Sequence, residues 1–159
     1  MNKSEKFEFK TKSNTLKFLK KRIKKSKIEG IFDFTIENWD CDKIRILQAI
    51  DVKFNSKIIV RSSAVGEDSI EKSEAGSYES ILNVNSSSKN NIQKAISRVI
   101  QSYELRGNKN LQNQILIQSQ STDIITSGVV LTRESKHGLS YFVINFEEGS
   151  STDGVTQGK

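Results

Sequence analysis

VRSSAVGEDSIEKSEAGSYESILNV, running from Val60 to Val84, is the stretch on which the rest of the chain turns. Lys57 to Arg61 is a short, nearly continuous apolar run, which predicts a strand that delivers Arg61 at its end. Ser62 to Ser77 is polar, carries Gly66 and Gly76 and shows no apolar periodicity, which predicts a long loop before a second strand at Glu79 to Val84. Loops of that length are uncommon in a compact domain and are often functional. A buried strand ending in Arg, followed by a small-residue loop with two glycines, offers what a polyphosphate needs: a rigid fork of donors, and backbone N–H groups free to approach oxygen. The same residues also read as an ordinary surface loop with Arg61 in a salt bridge. Physical chemistry alone leaves the two readings open.

Outward from this segment, helical and strand periods alternate. Ser13 to Ser26 predicts a helix with Leu16, Leu19 and Ile23 on one face, Lys17, Lys20, Lys21, Lys24 and Lys25 on the rest, and Ser13 as its N-cap. Ile31 to Ile36 has strand character with alternating Phe32 and Phe34, and Trp39 to Ile50 returns to helical spacing through Ile44, Leu47 and Ile50. Ser88 to Leu105 predicts a helix with Ile92, Ala95, Ile96, Val99 and Ile100 inward, followed by a polar turn at Arg106 to Asn113. Strands are expected at Gln114 to Ser119, Thr126 to Thr132 and Leu139 to Phe146, the last two joined around His137-Gly138. Helices mixed with strands, then a meander, give an α+β class.

With 159 residues and 35% hydrophobic content, the chain suits one domain and not a multidomain enzyme. No apolar run approaches the ~20 residues of a membrane helix, and the start at Met1 leads into charge rather than a signal-peptide core, so a cytoplasmic location is expected. The single cysteine, Cys41, excludes an internal disulfide and lacks the neighbours of a zinc site. The net charge of +6 is concentrated at one end: residues 1–27 hold eleven Lys/Arg against two acids, and the remainder is slightly acidic.

Three further features were candidates for chemistry. Lys17 to Lys27 could neutralise nucleic-acid phosphate or an anionic surface, but the orderly apolar stripe and the absence of interleaved aromatics favour a solvated helix face. Gly149-Ser-Ser-Thr-Asp-Gly154-Val155-Thr156 has P-loop spacing with Val155 where the phosphate-binding Lys must stand, which rejects a Walker A motif. His137 is the only histidine, so no Ser-His-Asp system can be assembled within the chain, and its place beside Gly138 reads as an exposed turn. The segment from Glu147 to Lys159, rich in Gly, Ser and Thr, reads as a chain interrupted inside a domain.

Val60 to Val84 resembles the nucleotide-binding domain of the phosphoenolpyruvate synthase, pyruvate phosphate dikinase and rifampin phosphotransferase family, whose VRSSA, ED, S-x-AG and LNV elements all stand here without a gap. Lys12 to Leu16 is similar to that family's N-terminal GKxxxL without the leading glycines, and Ser127 to Arg133 is similar to its SGVxFTR strand. The resemblance implies an ATP-grasp-like fold, incomplete at the C-terminus, over residues 1–159. It also implies that Lys12 and Arg61 neutralise the ATP triphosphate as the catalytic cations. Gly76 and Ser77 would supply backbone donors, and Gln118, Ser119, Gln120 and Ser121 would hold adenine. A Mg2+ ion is implied with it, its ligands and the phosphorylated histidine expected on parts of a longer polypeptide outside this chain, so that the fragment alone is expected to be inactive. The ending from Tyr141 to Gly158 resembles synthase-like proteins of capsule and surface-polysaccharide clusters. That implies L-glutamine as phosphoryl acceptor, with its amide nitrogen phosphorylated; pyruvate is the alternative, and a non-catalytic basic nucleic-acid or anion-binding module is the rival from another class.

Overall fold

The computed structural model describes residues 11–67, 77–134 and 136–149. They fall into two compact units, the first reaching Gln120 and the second beginning at Ser121.

In the first unit, β1 (Ile31–Thr35), β2 (Lys57–Ser63), β3 (Ser80–Asn85) and β4 (Gln114–Ser119) form one sheet in the order β1-β4-β2-β3, with every neighbouring pair antiparallel. The expected meander is therefore corrected: β4 does not pair with the strands that follow it but inserts between β1 and β2. Its composition explains why. Ile115, Leu116 and Ile117 are all fully buried, so both faces of the strand must be covered and both edges paired. The β-branched run Ile58-Ile59-Val60 favours the pleated backbone of β2, and pairing of Ser62 with Ile115 and Ser63 with Gln114 carries that strand two residues past Arg61.

Because side chains alternate along a strand, the two faces differ. Phe34, Ile58, Val60, Val84, Ile115 and Ile117 cluster with Ile92, Ile96, Val99 and Tyr103 of α4 (Lys89–Leu105) and with Ile46, Leu47 and Ile50 of α3 (Lys43–Lys53). The inward stripe expected of α4 is present, with Ser88 as N-cap accepting from the Asn91 N–H. On the opposite face, strand register sets Asp33, Leu116 and Arg61 in one row.

The first helix, α1 (Lys12–Lys20), is shorter than the expected Ser13 to Ser26. Lysines four apart (Lys17 and Lys21, Lys20 and Lys24) repel along a helix that has no acid to offset them. The N–H groups of Arg22 and Ile23 both return to the Leu19 carbonyl as the helix closes. Its N-cap is Thr11, whose Oγ1 accepts from the Asn14 N–H at 3.2 Å; Ser13 lies inside the first turn and is fully buried. The single helix expected over Trp39 to Ile50 is two. A capping box between Thr35 and Asn38 starts α2 (Ile36–Cys41) early, and Asp42, non-helical at φ −150°, ends it and caps α3 through the Arg45 N–H. The break shifts the helical phase, so Ile46 turns inward and Ile44, expected inward, is exposed.

The second unit contains a hairpin of β5 (Thr126–Leu131) and β6 (Val143–Glu148), the latter displaced from the expected Leu139 to Phe146 because Val143 is the partner of Leu131. The turn residues between them include Gly138 at φ +67° and the exposed His137. Gly128 allows the two strands to approach: a Cβ there would lie 2.6 Å from the Asn145 carbonyl oxygen and 3.0 Å from the Phe146 Cβ. Gly128→Ala is expected to destabilise the hairpin by about 1–3 kcal/mol, as overpacking does, read as loss of amide-exchange protection along Thr126–Leu131. Among the described residues, no helix is long and apolar enough to cross a membrane.

Candidate functional site

The C-terminal end of β2 is the meeting point of the first unit. Arg61 is half-buried, and its Nη1 donates to Gln118 Oε1 of β4 at 3.2 Å, so the guanidinium is oriented from the neighbouring strand. One residue on, the Ser62 hydroxyl donates to Glu67 Oε1 at 3.2 Å. Ser63 is held at both ends: its N–H donates to the Tyr103 hydroxyl at 2.8 Å, and its Oγ accepts from the Ser13 N–H at 2.9 Å. Tyr103 passes the bond on to the Gln114 carbonyl at 2.7 Å, while Thr11 donates to the Gln114 side chain at 2.6 Å. Helix α1 is thereby tied by its first turn to the strand that carries Arg61.

The chain then turns at Ala64 to Glu67, with Gly66 at φ +84°, a conformation that glycine adopts without a steric cost. This turn directs Glu67 inward. Its carboxylate, 1% exposed, accepts from the Ala64 N–H at 3.0 Å through Oε2 and from the Lys12 ammonium at 2.8 Å through Oε1. A buried carboxylate must be paired and hydrogen-bonded, and here both conditions are met. Tyr103 lies close enough to feel that charge. Burial pushes its phenol well above the usual range, the Ser63 N–H opposes that shift, and the Glu67 carboxylate adds to it.

An amide relay backs the turn. The Val65 N–H donates to Asn113 Oδ1 at 3.1 Å, Asn113 Nδ2 to Asn108 Oδ1 at 2.8 Å, and Asn108 Nδ2 to the Tyr78 hydroxyl at 3.1 Å. Asn113 is fully buried. Asn113→Ala strands the Val65 and Asn108 groups and is expected to cost about 1–3 kcal/mol, measurable as a lower denaturant midpoint with an unchanged m-value.

Lys12 is tied to this strand end through Glu67, whereas Arg61 reaches back along β2 to Gln118, which lies opposite Ile59. Ser119 is half-buried, and its N–H donates to the Gly30 carbonyl at 2.8 Å. Gln120 forms a reciprocal amide pair with Asn83, accepting from the Asn83 N–H at 2.7 Å and donating to Asn83 Oδ1 at 3.1 Å. The side chains of Gln118 and Gln120 thus have partners within the protein. Ser77 is half-buried and described; Gly76 lies outside the described residues, and Ser121 is exposed in the second unit. The segment Glu147 to Lys159 is described only as far as Gly149. Among the described residues, no group of three or more His, Cys, Asp or Glu side chains is placed to hold a metal ion.

Sequence reasoning missed Glu67, Tyr103 and Asn113. The available signals were the first acid of the Glu67-Asp68 pair, three residues after Ala64 in a small-residue turn, and a tyrosine four residues after Val99 on the apolar stripe of α4. Within the basic stretch, Lys17 pairs with Asp33 and Lys27 with Glu29, and the Arg22 guanidinium lies 3.5 Å from the Phe18 ring centre.

The family model described as pyruvate phosphate dikinase, AMP/ATP-binding domain, matches residues 12–146. No curated protein and no solved structure matches the chain.

Proposed function

Because the chain belongs to the family of the pyruvate phosphate dikinase AMP/ATP-binding domain, we propose that its residues bind the triphosphate of ATP for an AMP-forming dikinase-type phosphotransferase, with L-glutamine as the phosphoryl acceptor. The observation that carries this reading is that two cations distant in sequence are each anchored to β2 or its continuation: Arg61 on the strand itself, its guanidinium oriented by Gln118, and Lys12 through Glu67 Oε1, the oxygen that also accepts from Ser62. The residues suit a polyphosphate. Arg61 presents a planar fork of donors on a strand, and Lys12 has two ammonium donors beyond the one given to Glu67.

In this reading Arg61 and Lys12 hold the triphosphate, Gly76 and Ser77 add backbone donors, and Gln118, Ser119, Gln120 and Ser121 hold adenine. Bound ATP would supply the transferable phosphoryl group, and Mg2+ would neutralise phosphate charge. Phosphoryl transfer depends mostly on positioning and charge neutralisation, which is the part these side chains perform. The family chemistry implied by the resemblance passes the β-phosphoryl group to a histidine of another domain. The γ-phosphate goes to water or phosphate, AMP is released, and the histidine phosphorylates the acceptor.

Phosphorus NMR of the complete gene product with MgATP tests the reading. AMP and phosphate, with a new phosphoramidate resonance only when glutamine is present, are the expected products. Phosphoenolpyruvate formed from pyruvate would replace glutamine by pyruvate, and absence of AMP with either acceptor would remove the dikinase reading.

A further inference from the structure

We propose that Glu67 is the positioning residue of this site, holding the Lys12 ammonium in register with the strand that carries Arg61; the proposal rests on Lys12 acting on the triphosphate. Glu67 is fixed before it touches Lys12, because the Ala64 N–H holds one carboxylate oxygen and the Ser62 hydroxyl the other. Ser62 lies near the end of β2 and Ala64 follows directly after the strand. The third bond, from Lys12 Nζ at 2.8 Å, therefore ties a long side chain from α1 to groups one and three residues beyond Arg61.

Lys12 cannot leave this position without cost. The carboxylate is 1% exposed, so departure of the ammonium would strand a buried charge with neutral donors only. Lys12 accordingly stays with Glu67 when a polyphosphate arrives and offers its remaining donors from a fixed point. A lysine on a flexible four-carbon stem would otherwise have to be ordered by the ligand itself. Glu67 acts through Lys12 and makes no contact with nucleotide.

Glu67→Asp keeps the charge but withdraws the carboxylate by one methylene, and it separates position from charge. Titration of the full chain with MgATP and with AMP is expected to show ATP affinity weakened about tenfold in Glu67→Asp, with AMP affinity changed less than twofold. In a Lys12→Met background the same substitution is expected to have no further effect. Equal losses for ATP and AMP, or a loss that persists in Lys12→Met, would overturn the proposal while leaving the ATP site intact. Unchanged ATP affinity in Lys12→Met alone would instead overturn the role of Lys12, and the proposal with it. Should Glu67→Asp not fold, Glu67→Gln serves in the same cycle. A change in ATP affinity of either sign that disappears in Lys12→Met supports the proposal, and no change, or one that persists, overturns it.

Discussion

Arg61→Ala is expected to weaken MgATP binding about a hundredfold and to abolish AMP formation, while the melting temperature stays within a few degrees of the parent. The expectation follows from the geometry of β2. Arg61 is half-buried, with the Gln118 side chain as the partner of its Nη1, so truncation removes little packing and leaves a single amide oxygen that water can reach. Hydrogen bonds to a charged group contribute about 1.5–3 kcal/mol each, and loss of a two-point contact with phosphate is on the order of 3 kcal/mol, which corresponds to the stated factor. Arg61→Lys keeps the charge but loses the planar fork, and an intermediate loss of about tenfold is expected. Calorimetric titration and an assay for AMP read the two effects separately. Unchanged affinity and yield in Arg61→Ala would remove Arg61 from the triphosphate site.

Tyr103→Phe is expected to cost about 2–4 kcal/mol of folding stability. The hydroxyl is fully buried and serves two strands at once, accepting from the Ser63 N–H of β2 and donating to the Gln114 carbonyl of β4. Deleting it strands both backbone groups, each at about 1–3 kcal/mol. The ring remains against Tyr78, with centroids 4.8 Å apart, so no large cavity forms. A pH signature accompanies the loss. Because burial raises the phenol in the folded state, only the unfolded chain ionises at Tyr103 once the pH passes the ordinary value near 10. The folded state then binds the additional proton, and stability falls with rising pH by about 1.4 kcal/mol per unit from this group. Below pH 10 the group is protonated in both states and contributes no slope. Denaturant midpoints of the parent and Tyr103→Phe measured across pH 9–11 should converge as the pH rises, and parallel curves would contradict the assignment.

What the sequence made legible was local. The stripe of Ile92, Ala95, Ile96 and Val99 announced α4, and the β-branched run before Arg61 announced β2, because each pattern is set by neighbours along the chain. The insertion of β4 was not legible, since an apolar triplet such as Ile115-Leu116-Ile117 specifies burial on both faces without specifying which strands supply it. The break at Asp42 was hidden for a different reason: one residue ends α2 through its backbone N–H and caps α3 through its side chain, and periodicity does not register a cap that interrupts its own stripe. In the site, Arg61 stood out from its place at a strand end. Glu67 did not, because an acid in a polar turn ordinarily faces water and only the turn at Gly66 sends this one inward.

The strand order also governs when the first unit can come into being during synthesis. β2 can pair with β3 soon after both have left the ribosome, but among the described residues β1 has β4 as its only neighbour in the sheet. About eighty residues separate those two partners, so at ordinary translation rates of 5–20 residues per second β1 waits roughly 4–16 s. Throughout that interval Ile31 and Phe34 have no strand beside them. The nascent chain is therefore most exposed to misassociation before Ser119 emerges, and slowing elongation between Leu105 and Gln114 would prolong that exposure.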